Sequence, residues 1–148
     1  MNRKWGIAAI IAVIVAIAIG STFVFSNSSK GKGEVMELSP LEMKKFMSED
    51  GNGYVMLNSD EKRREDWMLL LKKLAKENDI HVKELYEGRE DIPGTSNPHD
   101  WNLTQKRDSL AYYQKGKLIK DVKFNKRQST VEIEKEVDAF IKSIQEKY

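Results

Sequence analysis

Residues 54–86, YVMLNSDEKRREDWMLLLKKLAKENDIHVKELY, carry two different hydrophobic periods in succession, and the switch between them decides the fold. Tyr54-Val55-Met56-Leu57-Asn58 is a short, nearly continuous apolar run behind the turn signal Gly51-Asn52-Gly53, which predicts a buried strand. Trp67, Leu70, Leu71, Leu74 and Ala75 then recur at i, i+3, i+4, i+7 and i+8. This paints one apolar stripe on a helix whose wet side is Lys72, Lys73, Lys76 and Glu77. Asn78 is a natural stop, and Ile80 to Tyr86 reads as the next strand. Strand, helix, strand with short joints predicts a βαβ unit with parallel strands and a right-handed crossover, hence an α/β domain.

Working outward toward the N-terminus, Leu38-Ser39-Pro40-Leu41-Glu42-Met43 announces another helix. Ser39 is placed to cap, Pro40 sits where a missing N–H costs nothing, Glu42 closes a capping box, and Leu38 with Met43 makes a hydrophobic staple. The helix is expected to run to about Ser48 and to bury some combination of Leu41, Met43, Phe46 and Met47. Toward the C-terminus, Glu87 to Arg107 loses all periodicity, with turn signals at Pro93-Gly94 and Asn97-Pro98 and only Trp101 and Leu103 suited to anchor it. Ser109 to Gln114 and Lys117 to Phe124, joined by Lys115-Gly116, predict an antiparallel hairpin. The final helix is capped by Ser129 or Thr130, with Glu132 completing a box from Ser129. Its stripe is Ile133, Val137, Phe140, Ile141 and Ile144.

In this order of elements the chain resembles a thioredoxin-like domain over roughly residues 37–148. The matching pieces are Phe46 to Leu57 as the lead-in to the central strand, Leu71 to Glu77 on the long helix, and Leu110 to Leu118 as the hairpin. It looks similar to the small single-pass and bacteriocin-accessory members of that family. The resemblance implies a mixed sheet of about four strands flanked by helices. It places Glu61 and Arg64 where the two cysteines of the family's Cys-x-x-Cys would stand, and Asp108 where its cis-proline would be. The chain has no cysteine. Thiol exchange needs a thiolate, so dithiol redox and thiol-peroxidase activity are excluded.

What remains is a surface rather than a catalytic motif. The resemblance sets the start of the second helix beside the segment before the hairpin, so Glu61, Arg64, Trp101 and Asp108 are the candidate partner-binding residues. Glu61 and Arg64, as first-turn charges, are expected to be replaceable by Ala without loss of the fold. Trp101 reads either as a plug over the core or as an exposed anchor for a partner, the plug being favoured. No catalytic residue, cofactor site or metal site is assigned. Asp60, Glu61, Glu65 and Asp66 complement the macrodipole of a helix start, with Lys62, Arg63 and Arg64 among them. His81 falls inside a strand, and His99 stands in the long loop with no second His or Cys near it. The expected function is therefore non-enzymatic: a redox-inactive module that binds a protein or peptide, as an accessory or immunity component of an export or envelope system. The alternatives are a non-redox enzyme or metal-binding protein using the 90–108 loop, and a structural subunit of a membrane complex.

The N-terminal stretch places this module. After a tail of residues 1–4 containing Arg3 and Lys4, residues 5–25 (WGIAAIIAVIVAIAIGSTFVF) carry no charge. At about 1.5 Å per residue, such a run matches a bilayer's hydrocarbon core of about 30 Å. Ala18-Ile19-Gly20 before Ser21 also suits a cleaved signal, but the apolar run continues through Phe25, which favours a retained transmembrane helix. A polar linker begins with SNSSKGKG, residues 26–33, and extends to residue 36 ahead of the domain. Arg3 and Lys4 lie closer to the span than Lys30 and Lys32, which orients the domain outside the cytoplasm, at the cell membrane. Of 25 Lys and Arg, 23 lie after the span, together with all 23 Asp and Glu, so the soluble part is formally neutral and a general nucleic-acid role is excluded. Its one basic stretch, Lys115 to Arg127, reads as a solvated strand pair.

A reporter that works only outside the cytoplasm, fused after Tyr148, is expected to be active, with the protein kept in the membrane fraction through a high-salt wash. A soluble form beginning near Ser21 would show a cleaved signal instead.

Overall fold

The computed structural model describes residues 33–49, 51–94 and 96–148. The apolar run 5–25 and most of the linker therefore lie outside the described residues. Among the described residues no helix is long and apolar enough to cross a membrane.

The elements follow in the order β1 (Val35–Glu37), α1 (Pro40–Glu49), β2 (Gly53–Asn58), α2 (Glu61–Asn78), β3 (Val82–Tyr86), a 3-10 turn (Pro98–Trp101), β4 (Ser109–Gln114), β5 (Lys117–Lys123) and α3 (Thr130–Lys147). They form a five-stranded mixed sheet ordered β1-β3-β2-β4-β5. β3 runs parallel to both β1 and β2, with Tyr54 opposite Val82 and Val35 opposite Val82 on its other side. β4 is antiparallel to β2 and to β5. The expectation of about four strands missed β1, whose first two residues fall within the span assigned to the linker. Three residues of edge strand leave no alternation to read.

Side chains alternate across the sheet with period two, and each face has its own core. Tyr54, Met56, Val82, Leu110 and Tyr112 pack with the predicted stripes of α2 and α3. Val55, Leu57, Leu85, Ala111 and Tyr113 pack with Met43, Phe46 and Met47 of α1. All five residues of the α2 stripe and all five of the α3 stripe are buried. Leu41, by contrast, is 80 % exposed, because it sits in the first turn of α1 on the side away from the sheet. Leu38 and Met43 are both fully buried in the α1-side core, and the Ser39–Glu42 box is closed in both directions. The Ser129–Glu132 box is likewise closed at α3.

Two turns meet at the far end of the sheet. Gly51 has φ 59°, and a Cβ there would lie 2.6 Å from the Gly116 backbone nitrogen, so the turn entering β2 packs directly on the hairpin turn. Only glycine allows both that φ and that approach. At the other end the long connection 87–108 is pinned rather than loose. Trp101 and Leu103 are buried, the Tyr113 hydroxyl accepts from the Thr104 and Gln105 N–H groups, and Gln105 Nε2 donates to the Val55 and Ser109 carbonyls.

Leu71 and Ile141 sit at the centres of the two helix stripes, 1 % and 0 % exposed. Leu71→Ala and Ile141→Ala should each lower unfolding free energy by about 2–5 kcal/mol in denaturant titrations. Lys72→Ala, on the wet side of α2, should change it by less than about 0.5 kcal/mol.

Candidate functional site

The start of α2 is built by Asp60. Its carboxylate accepts the Lys62 and Arg63 N–H groups at 2.9 and 3.1 Å, satisfying orphan donors of the first turn. Lys126 Nζ, from the connection after β5, reaches the other oxygen at 3.0 Å. That hydrogen bond, together with the capping bonds, holds the Asp60 carboxyl below its ordinary pKa. Glu61 is then the first helical residue and points to solvent.

Arg64, one turn on, points inward instead. Its target is Glu84, a fully buried carboxylate in the middle of β3. Arg64 Nε donates to Glu84 Oε2 at 3.1 Å and a terminal nitrogen donates to Oε1 at 2.7 Å, a two-pronged pairing. Asn58 at the end of β2 donates from Nδ2 to Glu84 Oε2 at 2.6 Å. The guanidinium lies 4.3 Å from the Tyr86 ring centroid and 3.2 Å from Glu37 Oε2 of β1. Glu37 in turn accepts from Arg89 at 2.7 Å, and Arg89 pairs with Asp91. The hydrogen bond that Arg64 donates to Glu84 leads the causes that raise the Arg64 pKa, and the one that Arg89 donates to Asp91 leads those that raise the Arg89 pKa. This chain of alternating charges ties α2, β1, β3, the end of β2 and the loop after β3 together.

Arg64 forms part of the wall of a groove of about 660 Å³ between α2 and the open edge of the sheet. Glu61, Glu65, Met68 and Leu69 of α2 line one side and Val35 and Glu37 of β1 the other. Leu69 is 61 % exposed, an apolar side chain that the core does not claim. Lys72 and the acidic pair Glu61 and Glu65 lie toward opposite ends of this helix face, since eleven residues at about 1.5 Å each separate Glu61 from Lys72 by about 16 Å. The groove also opens toward the carboxyl ends of the parallel strands β1 and β3, through Glu37 and Tyr86.

The four residues expected from sequence do not form one surface. Glu61 and Arg64 share the groove. Asp108 lies beside the same helix start but on another side, in a pocket with Lys123 and Lys126. It is 6 % exposed with φ 55°, and its carboxylate accepts from the Ser59 N–H and hydroxyl, while its own N–H donates to the Leu57 carbonyl. It acts as a bracket between the end of β2 and the entry to β4. Trp101 is 5 % exposed and packs in the α1-side core, the position of a plug. The expectation that Arg64 is a free first-turn charge is overturned by its pairing with buried Glu84.

In the 90–108 loop, Asp100 spends a carboxylate oxygen on the Asn97 N–H as part of the cap, and His99 is exposed. His81 lies 3.9 Å from Glu34. Among the described residues no group of three or more His, Asp or Glu side chains is arranged to hold a metal ion. Sequence reasoning missed Glu37, Asn58, Glu84 and Leu69. One signal was available: Lys83-Glu84 puts adjacent charges in the middle of a strand expected to be buried, and buried charge demands a partner.

Removing Arg64 leaves Glu84 buried and uncompensated, so Arg64→Ala should cost about 3–5 kcal/mol in denaturant unfolding. Glu61→Ala should cost less than about 0.5 kcal/mol. The double variant Arg64→Met, Glu84→Leu should recover much of the loss, because an apolar pair of similar volume carries no desolvation penalty. Equal stability of Arg64→Ala and Glu61→Ala would show that Glu84 does not depend on the pair.

Comparison of the chain with protein-family models, with curated proteins and with solved structures finds no match.

Proposed function

We propose that this chain is a membrane-anchored, extracytoplasmic, redox-inactive thioredoxin-like module that binds a protein or peptide partner, as an accessory or immunity component of an export or envelope system. The thioredoxin-like part rests on the order of elements: a parallel β-α-β unit, a long connection, an antiparallel hairpin and a closing helix are what the resemblance implies. The anchor and its orientation rest on residues 1–32, whose apolar run and flanking charges carry that part of the reading.

The binding part is carried by one observation. At the helix start where the family would keep its cysteines, the chain has a rigid polar base, the Arg64–Glu84–Asn58 cluster, beneath a groove whose rim carries two carboxylates, Glu61 and Glu65, with no ion pair to any described residue. A pre-organised base with unused charge at its rim suits recognition, since ordering costs have already been met by folding.

The test is cross-linking in the native membrane. Glu61→Gln combined with Glu65→Gln should leave thermal unfolding unchanged and reduce the yield of the cross-linked partner several-fold. Undiminished cross-linking would remove this groove from consideration and direct the search to the basic hairpin, residues 115–127.

A further inference from the structure

β1 is an edge strand whose outer side no described strand covers. Its bonding to β3 shows which of its backbone groups face outward. Leu38 N–H donates to the Glu84 carbonyl at 2.7 Å, and Val82 N–H donates to the Glu34 carbonyl at 2.9 Å. In the parallel register that pairs Val35 with Val82 and Glu37 with Glu84, Glu34, Met36 and Leu38 therefore bond inward, and the N–H and C=O groups of Val35 and Glu37 point away from the sheet. The opposite edge, β5, exposes Lys117, Lys120 and Lys123, the usual protection of an edge against added strands. The outward-bonding positions of β1 carry no lysine.

The side chains beside this edge are graded along the groove. Glu61 and Glu65 stand at the end near Glu37 and Tyr86, Met68, Leu69 and Val35 form an apolar middle, and Lys72 stands at the far end. Neither Glu37 nor Arg64 contributes free charge, because each is spent on the other and on Arg89 or Glu84. The span of about 16 Å from Glu61 to Lys72 along α2 corresponds to about five residues of extended chain at about 3.3 Å each.

We propose that the open edge of β1 and the groove beside it receive an extended segment of a partner polypeptide as an added, antiparallel sixth strand. Alternate side chains of that segment face the groove: a Lys or Arg at Glu61 and Glu65, a β-branched apolar residue over Val35, Met68 and Leu69, and an acidic residue at Lys72. Main-chain bonds to Val35 and Glu37 supply affinity, and the charge gradient sets direction and register. This inference rests on the partner-binding reading above and names the chemistry of the partner.

The probe is a fluorescein-labelled peptide, Gly-Ser-Lys-Thr-Val-Thr-Glu-Ser-Gly, titrated with the full-length chain in detergent micelles and read by fluorescence anisotropy. Saturable binding is expected. Val35→Pro removes one outward N–H without touching a bond to β3, and should abolish binding while circular dichroism and thermal unfolding stay unchanged. Glu61→Lys combined with Glu65→Lys should weaken binding at least about threefold. The same variant should bind more tightly a peptide in which Glu replaces the Lys, a rescue that a merely destabilised protein cannot give. Peptide binding that ignores both changes, or no binding at all, overturns the added strand. If the Glu61→Gln, Glu65→Gln cross-linking experiment still shows loss of the partner in that case, the groove remains a binding surface and only its mode is wrong. Concentration-dependent dimerisation that Val35→Pro abolishes would also overturn the proposal, since a second copy would then fill the edge.

Discussion

A buried carboxylate in the middle of a sheet is the constraint around which this domain is arranged. Glu84 has no exposure, and the effective penalty for burying an unpaired ion is several kcal/mol. Its two-pronged bond with Arg64 and the amide of Asn58 meet that demand from two other elements, α2 and β2. The position of α2 over the sheet follows: the helix start must bring Arg64 above β3, so Asp60 and its cap fix the first turn and Lys126 ties it to the connection before α3. Arg64 then carries the constraint to β1 through Glu37, and Arg89 extends it into the loop after β3. Buried ion pairs of this kind often add no net stability over an apolar pair of similar volume. The ion pair joins α2 to β3 at one fixed point and leaves a polar base beneath the groove.

The helical parts of this architecture were legible because they obey periodicity. Trp67, Leu70, Leu71, Leu74 and Ala75 are all buried, and the same holds for the stripe from Ile133 to Ile144. Closed capping boxes at Ser39 and Ser129 follow from local chemistry, which sequence carries directly. The plug role of Trp101 was legible too, as an aromatic ring in a polar connection with few other anchors. What failed to show is everything that depends on contact across the chain. β1 is three residues long and gains its identity from pairing with β3, so nothing local distinguishes Val35 and Met36 from the linker. Arg64 sits among Lys62, Arg63 and Glu65 in a run that reads as a solvated helix start, and only the fold reveals that it turns inward to a buried carboxylate. Asp108 likewise looks like a loop residue until Ser59 is seen to donate to both its oxygens.

The two edges of the sheet differ in a way that bears on function. β5 is long and lysine-studded, whereas β1 is short, presents Val35, and lies beside exposed Leu69 and two carboxylates without ion partners among the described residues. One edge is built to stay unpaired, and the other lies beside a polar, pre-shaped cleft. The working face we propose is therefore the α2 side of the sheet, at the β1 edge. A photoreactive residue at position 69, compared with one at position 41, tests that claim most directly. Leu69 and Leu41 are both exposed leucines, but Leu41 belongs to α1 on the other face. Illumination of intact membranes should yield a discrete cross-linked product from position 69 and none from position 41. A product from position 41 alone, or the same product from both, would contradict the account.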